Sequence, residues 1–267
     1  MRPYISLLRV RLLNGLQYRA AAIGGLTTQL FWGIMLIFIY RAFFGDAYAS
    51  NGFSFRELVT YVWIQQAFLM FIHLYDWDSE ILEMITTGNI SYELCRPINL
   101  YQVWYVKLLA KRLAGGILRF APILVIGFLM PHPYNLALPH SLTALLLFIV
   151  TLTLGLFLLV SMSMMVYISI FKTMSPIGST SLFNTFGTFF AGTAIPIPLM
   201  PLWLQNVTRF MPFRWAADLP IRVYSGHIGT HEAFVGIAMQ LFWLIILVSI
   251  GALIMKRATR LSTVQGG

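Results

Sequence analysis

"LTALLLFIVTLTLGLFLLVSMSMMVYISIF", residues 142–171, contains no Asp, Glu, Lys or Arg. At about 1.5 Å per residue, a helix of this length is roughly 45 Å long, more than the ~30 Å hydrocarbon core of a bilayer. Such a run belongs in lipid, where it must tilt or protrude. The rest of the 267 residues agrees: 58% are hydrophobic and 10% are charged. Soluble domains carry about 25% charged residues, so most of this surface does not face water.

Working outward from that run, five further apolar stretches appear at 20–44, 58–75, 104–130, 177–195 and 233–255. The expected fold is therefore an all-α integral membrane protein with six transmembrane helices. It forms a single domain over 1–267, with the spans inside 20–255. An even number of spans puts both termini on one side of the membrane. Of the 18 Lys and Arg residues, Arg41, Arg56, Arg209, Arg214 and Arg222 fall on the far side; Arg119 lies within the third run, and the other 12 share the side of the termini. The positive-inside rule then makes the termini cytoplasmic. The formal net charge of +9 reports this orientation rather than a nucleic-acid partner. The partner surface is the bilayer, in a cell (inner) membrane.

Residues 1–19 alternate Leu and Ile with Arg and Gln, and Leu8, Leu12 and Leu16 share a helical face. They read as an amphipathic helix along the cytoplasmic interface, with arginines toward lipid phosphate. The apolar run that follows is too long for the core of a cleavable signal. Residues 196–231 form an outer region rich in Pro, Trp and Phe, including "IPIPLMPLWLQNVTRFMPFRW" (195–215). Leu199, Trp203, Val207 and Phe210 fall on one face there. Two readings fit: short re-entrant helices dipping into the outer leaflet, or an aromatic anchor at the interface.

No carboxylate falls in the core of any span, which leaves an ion-coupled carrier with only Arg119 and His73 to use. There is no G-x-x-x-x-G-K-[ST], so the chain has no P-loop, and neither H-E-x-x-H nor G-x-S-x-G occurs. His227 and His231 are four apart, but Gly226 and Gly229 argue against a helix there and no third metal ligand is evident. Cys95 is the single cysteine, so no internal disulfide forms. Cofactors, catalytic residues and metal ligands are expected to be absent from this chain.

The acids gather instead in "DWDSEILEMITTGNISYELCRP", residues 76–97, which hold five of the nine carboxylates. This cytoplasmic segment, 76–99, is expected to continue the second span as a helix to Thr86. It would break at Thr87 and Gly88, with Gly88 as a left-handed cap, and start a short helix at Asn89 as N-cap. Asn99 and Gln102 resemble a capping box for the third span. Ile85, Ile90, Tyr92 and Leu94 are too many apolar groups for a free loop and predict a protein partner.

"EMITTGNISYELCRPINLYQVW" (83–104) resembles the cytoplasmic segment of type-2 ATP-binding-cassette (ABC) exporter permeases. The pattern there is an acid, Gly, an aliphatic residue, Leu and Pro, matched by Glu83, Gly88, Ile90, Leu94 and Pro97. "QYR" (17–19), and PLWL, MPFRW, LP and YSG between 201 and 226, are similar to a subgroup of short bacterial permeases encoded in pairs beside one ATPase. The resemblance implies that the segment is a coupling helix docking on an ABC ATPase dimer, which carries the ATP and Mg. The coupling residues would be Glu83, Ile85, Thr87, Gly88, Asn89, Ile90, Tyr92, Glu93, Leu94, Arg96 and Pro97. It also implies a second permease, hetero- more than homodimeric, and an outer gate for which Pro196, Pro198, Trp203, Phe210 and Pro212 are candidates. Gln65, Gln66, Asn184, Thr185 and Thr188 fit either a polar pathway lining or close helix packing. The function expected from this resemblance is the permease subunit of an ATP-driven exporter. The alternatives are an ion-coupled carrier and a non-transporting scaffold for an ATPase.

Overall fold

The computed structural model describes residues 2–17, 19–44, 54–74, 76–95 and 97–261, and every regular element among them is helical. Four helices are long and apolar enough to cross a membrane: α2 (Arg19–Phe44), α7 (Leu100–Leu129), α8 (Leu142–Thr173) and α12 (Thr230–Leu261). Their placement follows their composition. The apolar window of α8 is 44% buried and central, whereas that of α12 is 11% buried and peripheral. Phe234, Phe242, Ile245 and Leu253 point outward from α12, as lipid-facing residues do.

The second and fifth apolar runs form shorter helices. Helix α3 (Phe55–Ala67) has 13 residues and α9 (Pro176–Phe190) has 15. At about 1.5 Å per residue each is roughly 20 Å long, short of a ~30 Å core. Helix α3 starts at a capping box between Ser54 and Glu57, and residues 58–67 are all buried. It breaks at Phe68, resumes for one turn as α4 (Leu69–Ile72), and becomes extended at His73. A continuous helix from the second run to Thr86 therefore does not form. The reason lies on α7, where Arg112 is 1% exposed. Its Nη1 donates to the carbonyls of Met70 at 3.1 Å and His73 at 2.6 Å. Those are acceptors that the end of a helix leaves open, and a buried guanidinium that satisfies them stabilises the break.

Helix α1 (Arg2–Gln17) packs along α7 rather than lying on lipid alone. Beyond the break come two short helices, α5 (Ser79–Thr86) and α6 (Ile90–Leu94), at one end of the bundle. At the other end lie α10 (Leu202–Arg209) and α11 (Pro212–Tyr224). Helix α11 is buried almost throughout and packs on α8. Gly155 permits the approach: a Cβ there would lie 2.5 Å from the backbone oxygen of Ala216. Gln240 of α12 joins all three helices, its Nε2 donating to Thr151 O of α8 and Trp215 O of α11, each at 2.8 Å. Because Gly155 and Thr151 lie midway along α8, the start of α11 reaches the middle of the bundle.

Candidate functional site

The cytoplasmic segment forms a helical hairpin with a fastened side and an open side. Asp78 caps α5, accepting from Ile81 N at 3.2 Å, while its own N–H donates to the Tyr167 hydroxyl of α8 at 2.6 Å. The alternation of apolar and polar residues then directs Ile81 and Ile85 into the core. The chain turns at Gly88, where φ is +76°, a conformation that a Cβ disfavours. Ile90 follows and is buried again. Asn89 differs from its expected role. It is itself helical and its side chain makes no capping bond, because the turn closes through backbone bonds from Ser91 N to Gly88 O and from Tyr92 N to Asn89 O.

Lys107 of α7 is the centre of the fastened side. Its ammonium lies 2.8 Å from Glu93 and 3.2 Å from Glu80, so one buried cation joins α5, α6 and α7. Glu93 also accepts from Trp104 Nε1 at 2.8 Å. Glu80 continues the network to α1 through Arg11 at 2.6 Å. The Arg11 hydrogen bond holds the Glu80 carboxyl down, to about 2, against the opposing effect of partial burial, and Lys107 adds to it. Arg11 is raised in return, chiefly by Glu80. That arginine therefore faces protein, contrary to its expected orientation toward phosphate. Lys111 pairs with Asp76 at 2.9 Å and also takes the Trp77 carbonyl at 2.5 Å. Asn99 caps α7 by accepting from Gln102 N at 3.2 Å, and its N–H donates to the Tyr4 hydroxyl of α1. The reciprocal bond of a full capping box is replaced by this contact between elements.

The open side carries Glu83, Thr87, Gly88, Asn89, Tyr92, Leu94 and Pro97, all exposed. Tyr92 is 74% exposed, high for an aromatic side chain on a small hairpin. Ile85, Ile90 and Glu93 point inward, and Arg96 lies outside the described residues. The expected coupling residues thus divide into an outer contact set and an inner fastening set.

The polar candidates are partly brought together. Gln65 is buried and donates to Thr193 O at 2.8 Å, and Thr193 Oγ1 donates to Thr188 O at 2.9 Å. This relay ties α3 to the end of α9. Gln66 is buried against Gly33 of α2. Thr185 is exposed and bonds within its own helix, to Ser181 O. Asn184 is half-buried, and its Oδ1 has no hydrogen-bond partner. Of the outer-gate candidates, Pro196 and Pro198 are buried beside a small cluster of Ile197, Met200 and Leu204. Trp203 and Phe210 are exposed along α10, and half-buried Pro212 begins α11.

Among the buried charged residues that sequence reasoning missed are Asp218 and Arg112. Asp218 of α11 is 0% exposed; the Tyr61 hydroxyl lies 3.1 Å from one of its oxygens and Arg222 lies 3.4 Å from the other. It stands in a segment read as an outer loop, so it was not counted among groups inside the bundle. Arg112 was read only as a cytoplasmic charge. A signal for Asp218 existed: Asp and Arg four apart in 212–224, on a helix started by Pro212, form a ready-made pair.

Among the described residues every regular element is helical and four helices are long and apolar enough to span, which indicates a multi-pass membrane protein. A family model described as ABC-2 family transporter protein matches residues 30–266, and the chain belongs to that family. It is an ABC-2 type permease, a membrane transport component. No curated protein matches the chain.

Proposed function

We propose that this chain is the membrane-spanning permease of an ATP-driven exporter, working with a separate ATPase that binds the ATP and Mg. In this reading the chain crosses a bacterial inner membrane six times, with both termini cytoplasmic. Helices α3 and α4 with the chain leading on to α5 form one crossing, and α9 with the turns that follow it forms another. A second permease, more often different than identical, completes the pathway. Trp203 and Phe210 on α10 close its outer end.

One observation carries the reading: the hairpin is open at Tyr92 and Leu94 yet fastened to α1, α7 and α8 behind them. A push on that edge passes through Glu93 to Lys107, through Glu80 to Arg11, and through Asp78 to Tyr167. Because Arg112 holds the carbonyls of α4, movement of α7 also moves the break in the second crossing. Closure of two ATPase subunits on ATP would supply the push, and no reacting group is needed in this chain. Affinity purification from membranes tests the reading. Wild type should bring down a P-loop ATPase, and Tyr92→Asp with Leu94→Asp should lose it; equal recovery would overturn the proposal.

Burial of Asp218 favours a second reading, an ion-coupled carrier. Arg222 and Tyr61 engage both of its oxygens, which instead fits a structural ion pair. Transport that persists when the partner ATPase has lost its P-loop lysine would favour the carrier.

A further inference from the structure

Arg209, Arg214 and Arg222 are three of the five cations assigned by charge counting to the outer side, and all three line one cavity between α10, α11 and α12. Its volume is about 580 Å³, far larger than a phosphate ion and within the range of small-ligand sites. Two acids, Asp218 and Glu232, also line it, leaving the cations in excess by one. Asp218 is already engaged through both oxygens. Glu232 and Arg209 are exposed and stand at the rim.

The arginines are arranged for an anion. Arg222 gives Nη1 to Asp218, while its Nε is buried with no hydrogen-bond partner. Arg214 is held by the Gln205 carbonyl at 3.2 Å, with its guanidinium 5.5 Å from the Trp215 ring centre. A guanidinium fixed in this way is pre-organised for a planar or tetrahedral oxyanion. Apart from exposed His231, the remaining lining is apolar and includes Trp215, Leu219 and Val235. Val235 is also exposed on α12, beside Phe234, so the cavity runs out onto the face of α12 that meets lipid.

We propose that this cavity binds an amphiphile with a phosphate-type anionic headgroup, the headgroup among the three arginines and the chains along α12. The proposal depends on the proposed function only for the side of the membrane on which α10 and α11 lie.

Native mass spectrometry of the purified chain tests it, in detergent containing equal amounts of phosphatidylglycerol and phosphatidylcholine. The expected result is retention of phosphatidylglycerol over phosphatidylcholine by about tenfold, the scale of one charge-assisted contact. Arg209→Gln, at the exposed rim, should reduce the preference, and so should Val235→Trp, which fills the apolar mouth without touching a charge. Inorganic phosphate in excess should leave retention unchanged. Equal retention of the two lipids, or retention unaffected by both substitutions in folded protein, would overturn the proposal. Displacement by inorganic phosphate would also overturn it, by assigning the site to the free ion. No ATPase takes part, so this test can fail while the exporter reading stands, and the reverse holds too.

Discussion

Lys107 Nζ lies 2.8 Å from Glu93 Oε1, and this contact, with that of Trp104 Nε1 to Oε2, turns the acid of α6 inward, onto α7. Lys107 is 5% exposed and Glu93 11% at the side chain, so little water screens the pair. Lys107→Met would leave Glu93 without its cation, while Glu80 would keep Arg11. The expected cost is about 3 kcal/mol, the scale for breaking a buried pair. Glu93→Gln together with Lys107→Met should recover part of it. Thermal melting of the purified variants measures the difference, and additive losses would mean that the two residues do not act as a pair.

Glu80 links the hairpin to α1 through Arg11, and its depressed pKa sets an acid limit. The folded carboxyl titrates near 2 and the free one near 4.5, so the stabilisation is complete above about 4.5. It is lost as pH falls from there toward 2, because protonation removes the partner of Arg11. Arg11→Gln should move the acid melting transition to higher pH, and Glu80→Gln should flatten the pH dependence in that window. Melting curves from pH 6 down to pH 3 check this.

Arg112, itself 1% exposed, satisfies the carbonyls of Met70 and His73. Arg112→Met should cost about 3 kcal/mol and lower the yield of folded protein, since two part-buried acceptors lose their donor. Arg112→Lys should fall between, because an ammonium keeps a cation for the two carbonyls but lacks the second arm that reaches Ser163 Oγ. Fluorescence-detected size exclusion and melting would measure the order; equal behaviour of Met and Lys would count against the account of the break.

Gly155 is the site of closest approach between α8 and α11. Gly155→Val should cost at least about 2 kcal/mol, because the obstacle is the backbone of Ala216 rather than a movable side chain. A variant that melts like wild type would mean that α11 does not pack there.

The parts legible in the sequence are those set by local pattern. Residues 142–171 announce a buried spanning helix because nothing in them tolerates water badly placed in lipid. Gly88, with apolar Ile81, Ile85 and Ile90 on either side, announces a hairpin because the break and the periodicity are adjacent in the chain. The break at Phe68 was not legible, since its stabilising group is Arg112, some forty residues away. The depth of α11 was hidden for the same reason: it depends on Gly155 and Gln240, far along the chain on either side. The fold also separates Asp76 from Asp78. Asp78 caps α5 and is fixed to Tyr167, so Asp78→Ala should cost about 1 kcal/mol, whereas Asp76→Asn disturbs only a half-exposed pair with Lys111.

The open edge of the hairpin is the central claim, and photo-crosslinking in intact membranes tests it most directly. A benzophenone side chain placed at Tyr92 should capture a P-loop ATPase, while the same group at Leu138, exposed in the loop between α7 and α8 at the far end of the bundle, should not. Capture of the ATPase from position 138 and not from 92 would contradict the account.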